Sequence, residues 1–96
     1  MDDLTKRRLA HNEKLFRQVN EAREQASASS GDTKLEFVCE CSDPACTSRI
    51  SLTVAEFERV RQSPDRYIVL PGHEISAIER VVEDRGAFEV VEKDAA

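Results

Sequence analysis

All three cysteines of this chain lie within eight consecutive positions, in the segment "FVCECSDPACTSR": Cys39, Cys41 and Cys46. Residues two apart in a strand point to the same side, so Cys39 and Cys41 can direct both thiolates at one point while Glu40 points away. The Asp-Pro pair that follows favours a turn, which brings Cys46 back toward the other two. A zinc ion takes four nitrogen or sulfur ligands in a tetrahedron. The spacing therefore predicts three of the four ligands of a metal site.

The fourth ligand should be one of the two histidines, and His11, in a polar helix beyond a flexible connector, would require closing that long loop. His73 follows a strand, "RYIVL", and sits in a Pro-Gly turn, where small zinc sites commonly have their second half. If this strand lies beside "LEFVC" in one sheet, the turn places the imidazole near the thiolates. Asp43, Glu74 and water are the alternatives to this histidine. The predicted metal ligands are therefore Cys39, Cys41, Cys46 and His73.

Three other interpretations compete for the cysteines. They could be small core residues, although Cys39 and Cys41 flank a glutamate and precede "SDP", which does not indicate a buried apolar environment. A C-x-C disulfide would be strained and would leave Cys46 unpaired. Reactive thiols would need basic neighbours, and only Arg49 is near, against two acidic residues. A structural metal site is the favoured interpretation.

The composition is that of a small acidic protein, with 96 residues and a net charge of -5. No apolar run approaches the roughly 20 residues needed to span a bilayer, and the N-terminal segment lacks the apolar core of a secretory signal. We therefore expect a cytoplasmic protein, in which clustered thiols are more often ligands than disulfides. Residues 32–96 carry a net charge of -6, so they lack the basic patch on which nucleic-acid binding depends.

Residues 4–26 have the period of one amphipathic helix, whose apolar positions recur at helical spacing: Leu9, Leu15, Phe16, Val19, Ala22 and Ala26. The segment "SASSGD", residues 27–32, has the composition of a flexible connector. We therefore divide the chain into residues 1–31, helix and connector, and residues 32–96, a small metal-binding domain. The apolar face of the helix either packs on that domain or frays in solvent, or it binds a protein partner or a second copy. Few contacts should cross the connector, so residues 1–30 should be removable without unfolding the rest.

After the connector the hydrophobic period changes from that of a helix to that of a strand, which indicates an α+β fold. "KLEFVCE" alternates as a half-buried strand, and residues 50–52 form a second short strand. Thr53 and Glu56 form a T-x-x-E capping box at the start of a helix. The buried face of this helix is predicted to be Val54, Phe57 and Val60, and Pro64 ends it.

The C-terminal third is expected to be mostly strand. "RYIVL" is a third strand, and two Val-rich runs around Gly86 predict a β-hairpin, with a short helix over residues 75–82 as the alternative. The whole is a small antiparallel or mixed sheet with one well-capped helix, which a zinc ion would staple.

Two families share parts of this pattern. The three cysteines with a histidine, spaced C-x-C and then P-x-C, resemble CDGSH-type iron-sulfur proteins, which would imply cluster ligands at the same four residues. In that family the histidine follows the third cysteine in a D-G-[SAT]-x-H run, whereas here Cys46 is followed by "TSRIS" and His73 lies far off. The blocks "FVCECSDPACTSRISLTVAEFERVR", "PGHE" and "FEVVEK", with "NEKLFRQVNE" upstream, resemble a group of small uncharacterised proteins of actinobacteria and related bacteria. That resemblance covers most of the chain, supports treating the cysteines and His73 as one unit, and implies no activity.

The chain contains no Gly-rich phosphate loop, no G-x-S-x-G elbow and no H-E-x-x-H pair. We therefore predict a non-enzymatic zinc protein, a protein-interaction or regulatory adaptor whose N-terminal helix binds a protein partner. The alternative is a thiol-based redox or metal-responsive protein, including one with an iron-sulfur site. An enzyme using zinc-bound water would need water in place of His73.

Overall fold

The computed structural model describes residues 2–27, 31–41, 43 and 45–93, which form two helices and five strands. In chain order these elements are α1 (Asp3–Ser27), β1 (Lys34–Val38), β2 (Arg49–Thr53), α2 (Val54–Arg61), β3 (Arg66–Val69), β4 (Glu79–Asp84) and β5 (Glu89–Lys93). The strand pairings in this described part of the chain are antiparallel. The α+β class, with an N-terminal helix and one capped helix, is therefore confirmed. No helix in the described segments is long and apolar enough to cross a membrane.

The strands form two separate sheets. β1 pairs with β2, in a register that sets Phe37 opposite Ile50, whereas the second sheet has the order β3-β5-β4. The prediction that "RYIVL" lies beside "LEFVC" in one sheet is therefore wrong. The two sheets instead meet beyond the end of β1, where the backbone N–H of Glu40 donates to the carbonyl of Ile68 in β3 at 2.8 Å.

α2 begins where the sequence predicts, because Thr53 and Glu56 form a reciprocal capping box. The Thr53 hydroxyl accepts from the Glu56 backbone N–H at 3.1 Å, and the Glu56 carboxylate accepts from the Thr53 N–H at 2.8 Å. Phe57 stacks on Phe37 of β1 with the ring centroids 4.5 Å apart, so α2 packs on the two-stranded sheet. The buried face of the helix is the predicted one: Val54, Phe57 and Val60.

The C-terminal segment is the predicted β-hairpin. β4 and β5 pair antiparallel, and Gly86 in the loop between them has a φ of +81°, a region that glycine enters without a steric penalty. Before β4, Ile78 donates its backbone N–H to the Ile75 carbonyl at 3.0 Å, which closes a single turn. The alternative helix over residues 75–82 is therefore wrong.

The most buried side chains of α1 are polar, whereas much of its apolar stripe is exposed. Glu13, Arg17 and Asn20 are 0%, 7% and 0% exposed, and their i, i+4, i+7 spacing puts them on one face. Leu15 and Val19 of the predicted apolar face are 43% and 45% exposed. Leu9 and Phe16 of the same face are half-buried, so the apolar face packs on the domain only in part, and a partner-binding role for its exposed part stays a prediction.

Several polar contacts join α1 to the rest of the chain. The Asn20 side chain donates to the Val38 carbonyl at 2.9 Å and accepts from the Val38 N–H at 2.8 Å. Arg61 of α2 pairs with Glu24 of α1 at 3.1 Å. The expectation of few contacts across the connector is therefore wrong. Residues 28–30 of the connector lie outside the described residues, and the division of the chain into two units stays a prediction.

Candidate metal centre

Four side chains with metal-binding atoms come together at one place: Cys39, Cys41, Cys46 and His73. Their sulfur and ring nitrogen atoms all lie within 4.8 Å of one another. The Nδ1 atom of His73 is 3.6 Å from the Cys39 Sγ and 3.7 Å from the Cys46 Sγ. Zinc bonds of about 2.3 Å to sulfur and about 2.0 Å to nitrogen would make the S···N edge of a tetrahedron about 3.5 Å. The four side chains are therefore close enough to bind a metal ion, and the two distances from the His73 nitrogen are near those of a tetrahedral site.

Cys39 and Cys41 directly follow β1, and strand alternation turns both side chains toward the same side. Cys39 continues the β1–β2 ladder, because its N–H donates to the Ser48 carbonyl at 3.1 Å. Glu40 points to the opposite side, as predicted. It does not face solvent there, however, because its exposed fraction is 0%.

A turn organised by Asp43 brings Cys46 back to the first pair. The N–H of Cys46 donates to the Asp43 carbonyl at 3.0 Å, and the Asp43 carboxylate accepts from the N–H of Ala45 at 2.9 Å. An Asp side chain bonded to the N–H two residues later is an Asx-turn. The predicted turn is thus confirmed at Asp43, while Pro44 lies outside the described residues.

His73 is delivered by a tight turn that leaves β3. Its N–H donates to the Leu70 carbonyl at 2.9 Å, and Gly72 has a φ of +88°. Proline at the second position and a glycine with positive φ at the third are typical of a type II turn. The histidine therefore comes from the second sheet, whereas the cysteines come from the first. A metal ion held by all four residues would cross-link the two sheets.

Backbone N–H groups point at the sulfurs and favour the thiolate, which is the form that binds metals. Leu70 donates its N–H to the Cys39 Sγ at 3.3 Å. Burial raises the pKa of Cys39 and of Cys41, and at Cys39 the Leu70 amide opposes the rise. Burial also acts to raise the pKa of Cys46, but the Ser48 amide and the neighbouring thiols bring it below its ordinary value. A metal ion that displaces the thiol protons would therefore meet least opposition at Cys46.

Cys39 and Cys41 are each 2% exposed and belong to the hydrophobic core. The expectation that their surroundings are not buried is therefore wrong. Core packing alone would not direct both sulfurs toward a third sulfur and a ring nitrogen. All three cysteines are free thiols, so the C-x-C disulfide is not formed.

The other candidate ligands lie beside the cluster or away from it. His11 is exposed on α1 and is not part of the cluster. Asp43 and Glu74 line an open depression of about 350 Å³ next to Cys41 and His73. The Glu74 carboxylate accepts the Gly72 N–H at 3.0 Å, which holds it on the histidine turn. Both carboxylates thus stay alternatives for the fourth position.

On the far side of the strand from the sulfurs, Glu40 holds α1 by its buried carboxylate. Its oxygens accept from the Arg17 Nε at 3.0 Å, the Asn20 Nδ2 at 2.9 Å and the Ile68 backbone N–H at 2.9 Å. The Arg17 guanidinium also lies over the Tyr67 ring, 4.7 Å from its centroid. Burial raises the pKa of Glu40, and the charge of Arg17 is the strongest influence that opposes the rise. The segment that carries two candidate ligands is therefore also the docking point of the helix.

No local sequence pattern predicts this network of Arg17, Asn20 and Glu40. Polar residues at i, i+4 and i+7 of a helix ordinarily indicate a solvated face. A glutamate that alternates with ligand cysteines is likewise expected to face water. No local pattern signals that the helix covers the far side of the strand, so only the packing of α1 reveals these residues.

Comparison of the chain with protein-family models, with curated proteins and with solved structures finds no match. The resemblances to the actinobacterial group and to CDGSH-type proteins therefore stay predictions.

Proposed function

We propose that this chain is a small non-enzymatic zinc protein in which the metal has a structural role. The observation that carries the proposal is that four donor atoms, supplied by two separate sheets, lie within 4.8 Å of one another. Three sulfurs and one imidazole are a donor set that zinc prefers, and four ligands complete its tetrahedron. A chain of 96 residues has a small core, so the binding free energy of a metal would contribute directly to folding. The ligands in this proposal are Cys39, Cys41, Cys46 and His73.

The donor set supports a structural site over a catalytic one. A catalytic zinc usually has three protein ligands and keeps its fourth position for water or substrate. Here four protein donors are available, and the two buried sulfurs, of Cys39 and Cys41, are each 2% exposed. With all four bound, the centre is closed to water. This closure is the basis for proposing that the protein is not an enzyme.

The outward face of α1 supports a second part of the proposal, in which the helix binds a protein partner and the protein acts as an adaptor. Leu15, Val19, Ala22 and Ala26 are exposed and follow one another at i, i+4, i+7 and i+11. This is the spacing of the seam between two packed helices. Because the opposite face of α1 is already docked, the helix can bind a partner without leaving the domain.

Elemental analysis of the untagged protein by mass spectrometry tests the metal. We expect one zinc per chain, and we expect a chelator to remove the metal and to loosen residues 32–96, with the largest loss of amide dispersion around the four candidate ligands. A fully dispersed amide spectrum from protein that holds no metal after gentle purification would contradict the proposal. For the partner, replacing both Leu15 and Val19 by Asp should abolish any self-association or complex that sedimentation detects, while the zinc content stays the same.

A redox or metal-responsive role is the alternative function. Cys46 is half-buried and is more accessible than the two buried cysteines, so an oxidant would meet this thiol first. Release of zinc by peroxide together with a change in partner binding would favour this role. A coloured protein that contains iron and sulfide would favour an iron-sulfur site. In either case we propose a cytoplasmic location, where thiols stay reduced.

A further inference from the structure

We propose that occupancy of the metal site controls whether α1 is docked, with Glu40 as the residue that connects the two. This inference rests on the proposed metal site and concerns its regulation. Glu40 stands between Cys39 and Cys41, so an ion held by both sulfurs also fixes the backbone that carries the Glu40 carboxylate. The same carboxylate is bonded to Arg17 and Asn20 of α1. Loss of the metal should therefore release the helix, and loss of the helix should weaken the metal site.

The coupling follows from the alternation of side chains along this segment. Cys39 presents its sulfur to the ring of His73 at 3.6 Å, while the next residue presents its carboxylate to Arg17 at 3.0 Å. The backbone N–H of Glu40 also donates to the Ile68 carbonyl at 2.8 Å. A displacement of about 1 Å would take such bonds outside the normal range of distances. If the two cysteines move after metal loss, the Glu40 carboxylate moves with them, and its bonds to Arg17 and Asn20 lengthen.

Because the docked face of α1 is polar, small shifts of the helix should break its contacts. The buried residues of the helix are Glu13, Arg17 and Asn20. Leu9 and Phe16 are half-buried, whereas Leu15 and Val19 point outward. Apolar contacts tolerate sliding, but an ion pair and a two-way amide pairing require one register. A buried charge without its partner is strongly unfavourable. The helix therefore has two states, docked with every anchor paired or released into water, and no stable arrangement between them.

Zinc affinity gives the first test, because linkage is reciprocal. The factor by which zinc strengthens helix docking must equal the factor by which docking strengthens zinc binding. Asn20→Ala removes an anchor that is not a candidate ligand, and it should weaken zinc at least about fivefold, the lower end of typical couplings. Gln25→Ala changes an exposed residue of the same helix and should leave the affinity unchanged. Competition with a chelator of known affinity measures the zinc affinity of wild type and of both variants.

A variant that is destabilised at another site separates this coupling from a general loss of stability. Thr53→Ala removes the cap of α2, far along the chain from the helix anchors, and should cost a stability similar to that of one hydrogen bond. If the coupling holds, Asn20→Ala weakens zinc more than Thr53→Ala does. Equal zinc affinities for Asn20→Ala and Thr53→Ala, or for Asn20→Ala and wild type, would overturn it.

Hydrogen exchange of the full wild-type chain tests the same idea without any variant. Chelation should increase amide exchange in α1 and in residues 39–41 more than in β3 and β5. Protection of α1 that persists after all zinc is removed, or that is lost in step with the β3-β5-β4 sheet, would overturn the coupling. A wild-type chain that binds no zinc in the same titration would instead overturn the proposed function, and the coupling with it.

Discussion

At the scale of single residues, His73 is the ligand to test first, because it alone comes from the second sheet. Its Nδ1 atom faces the sulfurs of Cys39 and Cys46 at 3.6 and 3.7 Å. His73→Ala should weaken zinc by at least about tenfold while the three cysteines stay bound, since water or Glu74 enters the fourth position. In a cadmium-substituted, nitrogen-labelled sample, we expect scalar coupling between the metal and the His73 ring nitrogen.

The matched control for this prediction is His11→Ala, which alters an exposed histidine on α1 and should leave zinc affinity unchanged. Coupling of cadmium to His11 would contradict the assignment. So would an unchanged affinity in the His73 variant with coupling to neither histidine, a result that indicates an open or cysteine-only site.

Glu13 provides a prediction about pH. Its carboxyl group is buried against Glu79, and burial, followed by the hydrogen bond and the charge of Glu79, raises the pKa of Glu13 well above its ordinary value of 4.5. The folded protein therefore keeps a proton that the unfolded chain loses above about pH 4.5, so stability falls as the pH rises. Glu13→Gln keeps the shape and removes the titration. This variant should be more stable than wild type by about 1 to 3 kcal/mol at alkaline pH.

Urea unfolding of zinc-saturated protein across roughly pH 6 to 9 measures this difference. The free energy of unfolding of wild type should decline relative to that of Glu13→Gln as the pH increases. Glu36→Gln, at an exposed position of β1, is the control and should run parallel to wild type. A constant gap between Glu13→Gln and wild type over the whole range would show that the proton is not held.

At the scale of elements, α2 depends on its N-terminal cap. The helix has eight residues, which is too short to persist without its cap and its packing. Thr53→Ala removes the hydroxyl that accepts the Glu56 N–H and should cost about 1 kcal/mol of stability. Thr53→Ser keeps a hydroxyl there and should cost less. Equal unfolding free energies for the two variants would mean that the capping box contributes nothing measurable.

At the scale of the whole molecule, the polar contacts of α1 with the rest of the chain predict that the helix unfolds together with it. Deleting residues 1–30 removes Arg17 and Asn20, and with them the bonds to Glu40 and to the Val38 backbone. A lost hydrogen bond typically costs about 0.5 to 1.5 kcal/mol, and about 1.5 to 3 kcal/mol where one group is charged. The truncated chain should therefore lose its thermal transition or show it at much lower temperature in calorimetry. This outcome replaces the sequence-based expectation that the deletion is harmless.

Two controls separate the effect of losing the helix contacts from the effect of shortening the chain. Deleting residues 1–8 stops short of Glu13, the first fully buried residue of the helix, and should leave the transition near that of the full chain. In the full chain, Glu40→Gln should lower the transition by less than the deletion does, because it breaks the ion pair with Arg17 and leaves the other helix contacts in place. A truncated chain that melts like the full one would show instead that the helix is separable.

The helices, the strands and the four candidate ligands could largely be predicted, because each depends on residues that are close in the sequence. The capping box at Thr53 places the start of α2 within the sequence itself, and the Pro-Gly turn before His73 forms from its own residues. Cys39 and Cys41 face one side by strand alternation alone, so their convergence required no knowledge of the remaining fold. Even the choice of His73 over His11 followed from chain connectivity, although the single sheet expected to explain it is two sheets.

Which face of α1 is buried was decided by the tertiary structure, and the reason is physical. Hydrophobic periodicity identifies a buried face only where docking is apolar, and α1 docks through Arg17 and Asn20 on the carboxylate of Glu40. Each of these residues, taken alone in the sequence, is most stable in water. Their burial is favourable only when all the partners meet, and they meet because one side of the segment from Cys39 to Cys41 carries the sulfurs and the other side contacts the helix. The sequence by itself determined the helix, the strands and the cluster of thiols, whereas the packing of a charged helix against the back of that cluster exists only in three dimensions.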